Sequence, residues 1–241
     1  PVTKVASDIA VSNYTPSSLL YDTQYFWQIV AKNNCGNSTT GPVWDFTTGS
    51  EPIGDHFASK SGSNSPPYES WTTAAHNIQD AINAASAGET VLVDDETFTE
   101  NVTVNKNNLT VQSRYGRSST FIVGQVQLDA SAANLTGCVL DGFDIETSTS
   151  TGIVYVHTKV PYESDPASDF TVTNATIQNC NIHGNTGAGI QIWGVLSTDN
   201  RIEGNYIGTN AAGTAALGNQ RYGVVLYDGP SETEVGGVLR G

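Results

Sequence analysis

Leu140-Asp141-Gly142-Phe143-Asp144-Ile145, Ile177-Gln178-Asn179-Cys180-Asn181-Ile182 and Ile202-Glu203-Gly204-Asn205-Tyr206-Ile207 are three copies of one pattern. Each is apolar at both ends, with Gly or Asn at its third position. Val235-Gly236-Gly237 begins a fourth copy, and the copies are 37, 25 and 33 residues apart. Side chains alternate along a strand, so apolar positions five apart cannot share one face of a straight strand. A bend must separate them, and Gly142, Asn179 and Gly204 stand where it would be. A second pattern interleaves with the first. It is a Gly followed by an alternating strand, at Gly152-Ile153-Val154-Tyr155-Val156, Gly189-Ile190-Gln191-Ile192-Trp193 and Gly223-Val224-Val225-Leu226-Tyr227.

Units of about 25 residues cannot bury a core alone and must stack. Strand, bend, strand, turn, strand is one coil of a parallel β-helix. The uneven spacing implies insertions, at 157–170 and roughly 208–220. Upstream, short β-runs separated by turn residues extend back to Thr90-Val91-Leu92-Val93. Before them Ala75, Ile78, Ala81, Ile82 and Ala85 fall at helical spacing, which predicts a helix over 73–88 with Gly88 as its cap.

Residues 51–72 read as a linker, because Gly, Ser and Pro punctuate them and no apolar period survives. Residues 1–50 read as short strands. Tyr25-Phe26-Trp27-Gln28-Ile29-Val30-Ala31 and Pro42-Val43-Trp44-Asp45-Phe46-Thr47-Thr48 flank a turn at 33–37. Alternation sets Tyr25, Trp27 and Ile29 on one face.

Three resemblances follow from these motifs. The helix, the strand Thr90–Val93, Phe98-Thr99-Glu100-Asn101-Val102-Thr103-Val104 and Leu109-Thr110-Val111 resemble the entry of pectin-lyase-like right-handed β-helix proteins. In that family a helix caps the open end of the first coil. Asn200-Arg201-Ile202-Glu203-Gly204-Asn205-Tyr206-Ile207-Gly208-Thr209-Asn210 is similar to a repeat of large bacterial and archaeal surface proteins. Leu19-Leu20 with Thr23-Gln24-Tyr25-Phe26-Trp27 resembles the second half of a fibronectin type III domain, where the Tyr makes a corner hydrogen bond. The first three strands of that domain have no counterpart, so a half-sandwich would expose residues such as Trp27. The expectation is an all-β chain. A partial fibronectin type III-like β-sandwich over 1–50 precedes a right-handed parallel β-helix, with its N-terminal capping α-helix, over 73–241. The resemblance implies an extracellular or cell-surface location.

Composition agrees with many strands and tight turns: 24 Gly, 28 Thr, 22 Ser and 20 Asn in 241 residues, with only 14% charged. Amphipathic helices usually spend more Lys and Glu on their wet faces. The 24 acidic residues against 10 basic give a net charge of −14, which excludes a nucleic-acid footprint or an anionic membrane surface as partner. No run of about 18 apolar residues suits a membrane span. Met is absent even at position 1, and no signal-peptide pattern is present, so a mature product or an excised piece is expected. The three cysteines, Cys35, Cys138 and Cys180, form no C-x-x-C and read as small buried hydrophobes.

Catalytic motifs are missing. Asp141 is followed by Gln178 and then Glu203 at equivalent places, so carboxylates recur only every second coil, too far apart for a close catalytic pair. Arg114, Arg117, Arg201 and Arg221 match no lyase motif. The acidic run Asp94-Asp95-Glu96 is the one candidate metal site, for calcium, and no other cofactor is indicated. His56, His76, His157 and His183 are scattered and read as surface residues. The better-formed signal is aromatic. If Ile190, Ile192, Val224 and Leu226 point inward, Trp193 and Tyr227 stack outside, one coil apart. Exposed aromatics in a row hold sugar rings by their apolar faces, with Arg221 and Asp228 as polar partners. Six N-x-S/T sequons begin at Asn13, Asn37, Asn101, Asn108, Asn134 and Asn174, and are candidates for glycosylation in an exported protein.

The functional expectation is therefore a structural or adhesive module of a larger surface or secreted protein that touches a polysaccharide or cell-surface glycan. The alternatives are a polysaccharide lyase or glycoside hydrolase of the same fold, and an extracellular filament subunit. The filament would self-associate through the incomplete sandwich or the open β-helix end.

Overall fold

The computed structural model describes residues 19–33, 35–147, 149–157, 170–194, 196–227 and 229–236. The chain divides into two compact units, Pro1–Pro52 and Ile53–Gly241.

In the first unit β1 (Gln24–Lys32) pairs antiparallel with β2 (Ser38–Thr47). Gly36, at φ 83°, makes the turn between them, donating its N–H to Asn33 O. Tyr25 lies opposite Phe46, and Trp27 opposite Trp44. The two indole rings stack at 4.6 Å. Ile29 departs from the expected alternation: the register shifts between Gln28 and Val30, so Ile29 falls in a bulge. The Tyr25 hydroxyl accepts a hydrogen bond from Leu20 N–H at 2.8 Å. Each face of the hairpin carries large exposed apolar side chains, with Phe26 67% and Trp27 46% exposed.

The second unit is built from three long parallel sheets. The first carries β3 (His56–Ala58), β4 (Thr90–Val93), β7 (Thr110–Ser113), β11 (Val139–Asp141), β15 (Thr176–Gln178), β18 (Arg201–Glu203) and β21 (Glu234–Gly236). The second carries β5 (Thr97–Phe98), β8 (Phe121–Val123), β12 (Asp144–Glu146), β16 (Asn181–Ile182) and β19 (Tyr206–Ile207). The third carries β6 (Val102–Val104), β9 (Val126–Ala130), β13 (Ile153–His157), β17 (Ile190–Trp193) and β20 (Val224–Tyr227). A short parallel pair, β10 (Leu135–Thr136) with β14 (Val172–Thr173), adds a further rung beside them.

From β4 onward the chain visits the three sheets in the same order on every circuit. The repeat found in the sequence is the register of this stack. Leu140, Ile177, Ile202 and Val235 are successive partners in the first sheet. Ile145, Ile182 and Ile207 are successive partners in the second, and Ile153, Ile190 and Val224 in the third. The inward side chains form one continuous core from Ala58 to Ile202.

Two corners explain the spaced Gly and Asn residues. Gly116, Gly142, Asn179 and Gly204 all have left-handed φ, at 83°, 81°, 52° and 64°. These are the bends that odd parity demands, and Gly and Asn adopt that conformation most readily. Asn108, Gly137, Asn174 and Asp199 make an equivalent left-handed ladder at another corner, with φ of 57°, 70°, 52° and 57°.

The helix, α1 (Ile78–Ala84), is shorter than the apolar period suggests. Ala75 is taken into a bridge with Ala58 before the helix starts, and Ala85 is already extended. The Glu100 carboxylate accepts the N–H groups of Ile78 (2.8 Å) and Gln79 (3.1 Å) at one end. The Lys106 ammonium donates to the carbonyls of Ile82, Asn83 and Ala85 at the other. Ile78, Ala81 and Ile82 are buried as the helix packs on β3, β4 and β6.

Residues 51–72, expected as a linker, belong from Ile53 onward to the second unit. β3 lies in that stretch and pairs in parallel with β4. Phe57 N–H donates to Tyr68 O, and Ser63, Asn64 and Ser65 donate to Thr72, Ala74 and Thr73. Backbone hydrogen bonds hold this segment, which is why no apolar period betrays it.

Candidate functional site

The third sheet turns its outer side chains to solvent. Trp193 ends β17 and Tyr227 ends β20, and the two are register partners. Ile190 and Ile192 are fully buried, so alternation sends Gln191 and Trp193 outward. The Trp193 and Tyr227 rings lie 5.1 Å apart and tilted by 46°. Beside them an open depression of about 270 Å³ is lined by residues of three successive circuits. Thr149, Ser150 and Thr151 come from the first, Thr186, Gly187, Ala188 and Gln191 from the next, and Arg221, Tyr222 and Tyr227 from the last.

Its floor is close-packed. A Cβ on Gly187 would sit 2.5 Å from Thr151 Oγ1, so only Gly lets the two circuits meet there. Among the described residues the lining holds one charged side chain, Arg221, with hydroxyls, an amide and tyrosines. Tyr222 is 55% exposed and Tyr227 38%. Two tyrosines, one guanidinium and several neutral hydrogen-bonding groups line the depression, and Trp193 packs against one of those tyrosines, Tyr227.

Of the residues singled out in the sequence, Trp193 lies against Tyr227, and Tyr227 and Arg221 line the depression. Asp228 lies outside the described residues. Sequence reading missed Tyr222 and Gln191. Gln191 was placed outward by alternation, but nothing in one strand shows that the following circuits close around it.

The acidic run is arranged differently. Asp94 pairs with Arg114 at 3.1 Å and also accepts from Ser59 Oγ at 3.1 Å. Glu96 accepts Lys60 N–H at 2.8 Å. Asp95 is exposed, with its carboxyl raised above the usual range by partial desolvation and then by the neighbouring Asp94 charge. Among the described residues no group of three or more His, Cys, Asp or Glu side chains gathers as a metal ion would need. Asp141 accepts three hydrogen bonds: Gln112 and Gln178 donate to Oδ2 at 3.3 and 3.0 Å, and Asn179 to Oδ1 at 2.9 Å.

Asn37, Asn101, Asn108, Asn134 and Asn174 are all exposed, and Asn13 lies outside the described residues. Two of the exposed five also clamp the fold. Asn101 Oδ1 accepts Gln125 N–H at 2.9 Å, and Asn134 Oδ1 accepts Thr171 N–H at 3.1 Å. Cys138 and Cys180 are buried and Cys35 is exposed. Burial pushes the Cys138 thiol up to about 11 and that of Cys180 to about 12.

Comparison with protein-family models, with curated proteins and with solved structures finds no match to this chain.

Proposed function

We propose that this chain is an extracellular structural or adhesive module that contacts a glycan through the groove between Thr151, Gln191, Arg221 and Tyr227. The observation that carries the reading is the Trp193–Tyr227 pair at 5.1 Å beside a depression lined, among the described residues, by hydroxyls, an amide, a guanidinium and tyrosines. Aromatic faces give a sugar ring apolar contact, and the hydroxyls, the amide and the guanidinium orient it.

The finer fold reading belongs to the same proposal. We infer that the three-sheet circuit is a right-handed parallel β-helix of the pectin-lyase-like kind, and that α1 caps its first coil. The hairpin is then the second half of a fibronectin type III-like sandwich. The corner bond from Leu20 N–H to the Tyr25 hydroxyl and the open Trp27–Trp44 face support that assignment. A sandwich wall of this kind is built to be covered by other strands.

The test is titration of the chain with neutral and acidic oligosaccharides by calorimetry, with polymer cleavage scored in parallel. Binding weakened about tenfold in the Trp193→Ala, Tyr227→Ala double variant is expected, since aromatic contacts contribute about 0.5–1.5 kcal/mol each. Failure of any oligosaccharide to bind at millimolar concentration overturns the glycan reading. Release of reducing ends or unsaturated products overturns the structural one.

A further inference from the structure

The depression on the third sheet holds a cation that the described fold does not use. Arg221 lines it and is exposed. Each of the other described arginines has an acceptor. Arg114 reaches Asp94 at 3.1 Å, and Arg201 reaches Glu234 at 3.0 Å. Arg117 donates to the carbonyls of Asn179 and Gly204 at 2.8 and 3.1 Å. Among the described residues the Arg221 guanidinium meets no acceptor.

The backbone beneath this side chain is pinned. Arg221 N–H donates to Gly187 O at 3.2 Å, and Gln220 N–H to Asn185 O at 2.8 Å. Asn219 Oδ1 accepts Asn185 Nδ2 at 2.7 Å, and Asn219 Nδ2 donates to Ile182 O at 3.1 Å. Three consecutive residues are thus tied to the preceding circuit. The stretch that carries Arg221 is fixed beside the depression before any ligand arrives. Only the side chain has to order on binding, which keeps the entropic cost low.

A guanidinium presents a planar fork of N–H groups that matches two oxygens of one carboxylate or sulfate, whereas a neutral hydroxyl offers it a single oxygen. The chain's net charge of −14 opposes an anion at a distance. That repulsion is screened beyond about 8 Å at physiological ionic strength, while a forked contact acts at hydrogen-bond range. Resting on the glycan reading of the same depression, we propose that the sugar it takes is acidic, with a carboxylate or sulfate group held by Arg221 and a ring against Tyr227.

The experiment titrates the intact chain by calorimetry with three oligosaccharides of one length and linkage: a neutral one, one carrying uronic acid residues and one carrying sulfate. The acidic ligands, one or both, are expected to bind about tenfold tighter than the neutral one, the gain of one charge-assisted pair. Whichever of them tightens identifies the anion, and either result supports the assignment. Arg221→Gln is expected to bring acidic binding down to the level of the neutral ligand. Arg221→Lys keeps the charge without the fork and is expected to fall between. Thermal unfolding of both variants checks that this exposed position leaves the fold intact. Equal affinity for all three ligands overturns the acidic assignment and leaves the glycan reading standing. An acidic preference that survives Arg221→Gln overturns the role of Arg221. Failure of all three to bind at millimolar concentration removes the glycan reading, and this inference with it.

Discussion

Replacing Asn200 with alanine removes a side chain that does the work of two backbone groups. Asn200 is fully buried. Its Oδ1 accepts Ala175 N–H at 3.0 Å and its Nδ2 donates to Val172 O at 3.1 Å, so it bridges to the circuit 25 residues before. Ala175 and Val172 are themselves fully buried. Alanine leaves one N–H and one C=O without partners in a dry place, at about 1–3 kcal/mol each. The expected loss is therefore about 2–6 kcal/mol, or a fall in Tm of roughly 5–15 °C for a unit of this size. Asn200→Asp keeps the acceptor but turns a second acceptor on Val172 O, and is expected to lose a similar amount. Asn105 is exposed, and Asn105→Ala is expected to stay within about 0.5 kcal/mol. Scanning calorimetry of the three variants beside the parent decides the matter. An Asn200→Ala protein as stable as Asn105→Ala would refute the clamp.

Lys106→Met removes the ammonium that gathers the last carbonyls of α1, and charge-assisted bonds of this kind predict a loss of about 1.5–3 kcal/mol by denaturant titration. The Glu100 carboxyl is raised above its ordinary 4.5, first by burial, while the N–H groups of Ile78 and Gln79 oppose the rise. Its contribution to stability is thus full below that ordinary value and is lost as pH climbs through the raised one. The advantage of the parent over Glu100→Gln should accordingly shrink from pH 4 to pH 7, and unfolding free energies across that range check the sign. In the native chain a thiol reagent should label Cys35 alone, with Cys138 and Cys180 reacting only after denaturation, because burial holds both thiols protonated.

The stacking of circuits was legible because apolar periodicity and left-handed turn residues are local signals. Ile177 and Ile202 announce their register directly, and Gly142 and Gly204 announce the bends. What stayed hidden depends on contacts between residues far apart in sequence. Asp144 and His183 are 39 residues apart and carry no motif, so His183 read as a surface histidine until the circuits placed it on Asp144. Tyr222 sits in an irregular stretch before β20, and only the groove gives it a role. The segment 53–68 hid for the opposite reason: its order comes from backbone hydrogen bonds, to which composition is blind.

The sequons show how one motif serves two physical causes. In Asn108-Leu109-Thr110 and Asn174-Ala175-Thr176 the Asn takes the left-handed corner, at φ 57° and 52°. The next residue is fully buried, and the Thr begins a strand of the first sheet with its side chain outward. The corner favours Asn for its backbone, the core requires an apolar residue, and the outer face of the strand favours a β-branched hydroxyl. Gly137-Cys138-Val139 fills the same three places without making a sequon, at φ 70° with Cys138 buried. The recurrence of N-x-T at these corners therefore follows from the turn geometry itself. Asn174→Gly, which erases the sequon and keeps the turn, is expected to fold with nearly unchanged stability, whereas Asn174→Val, β-branched at positive φ, is expected to lose about 1–2 kcal/mol. Equal stability of the two variants would remove the backbone as the reason Asn stands there.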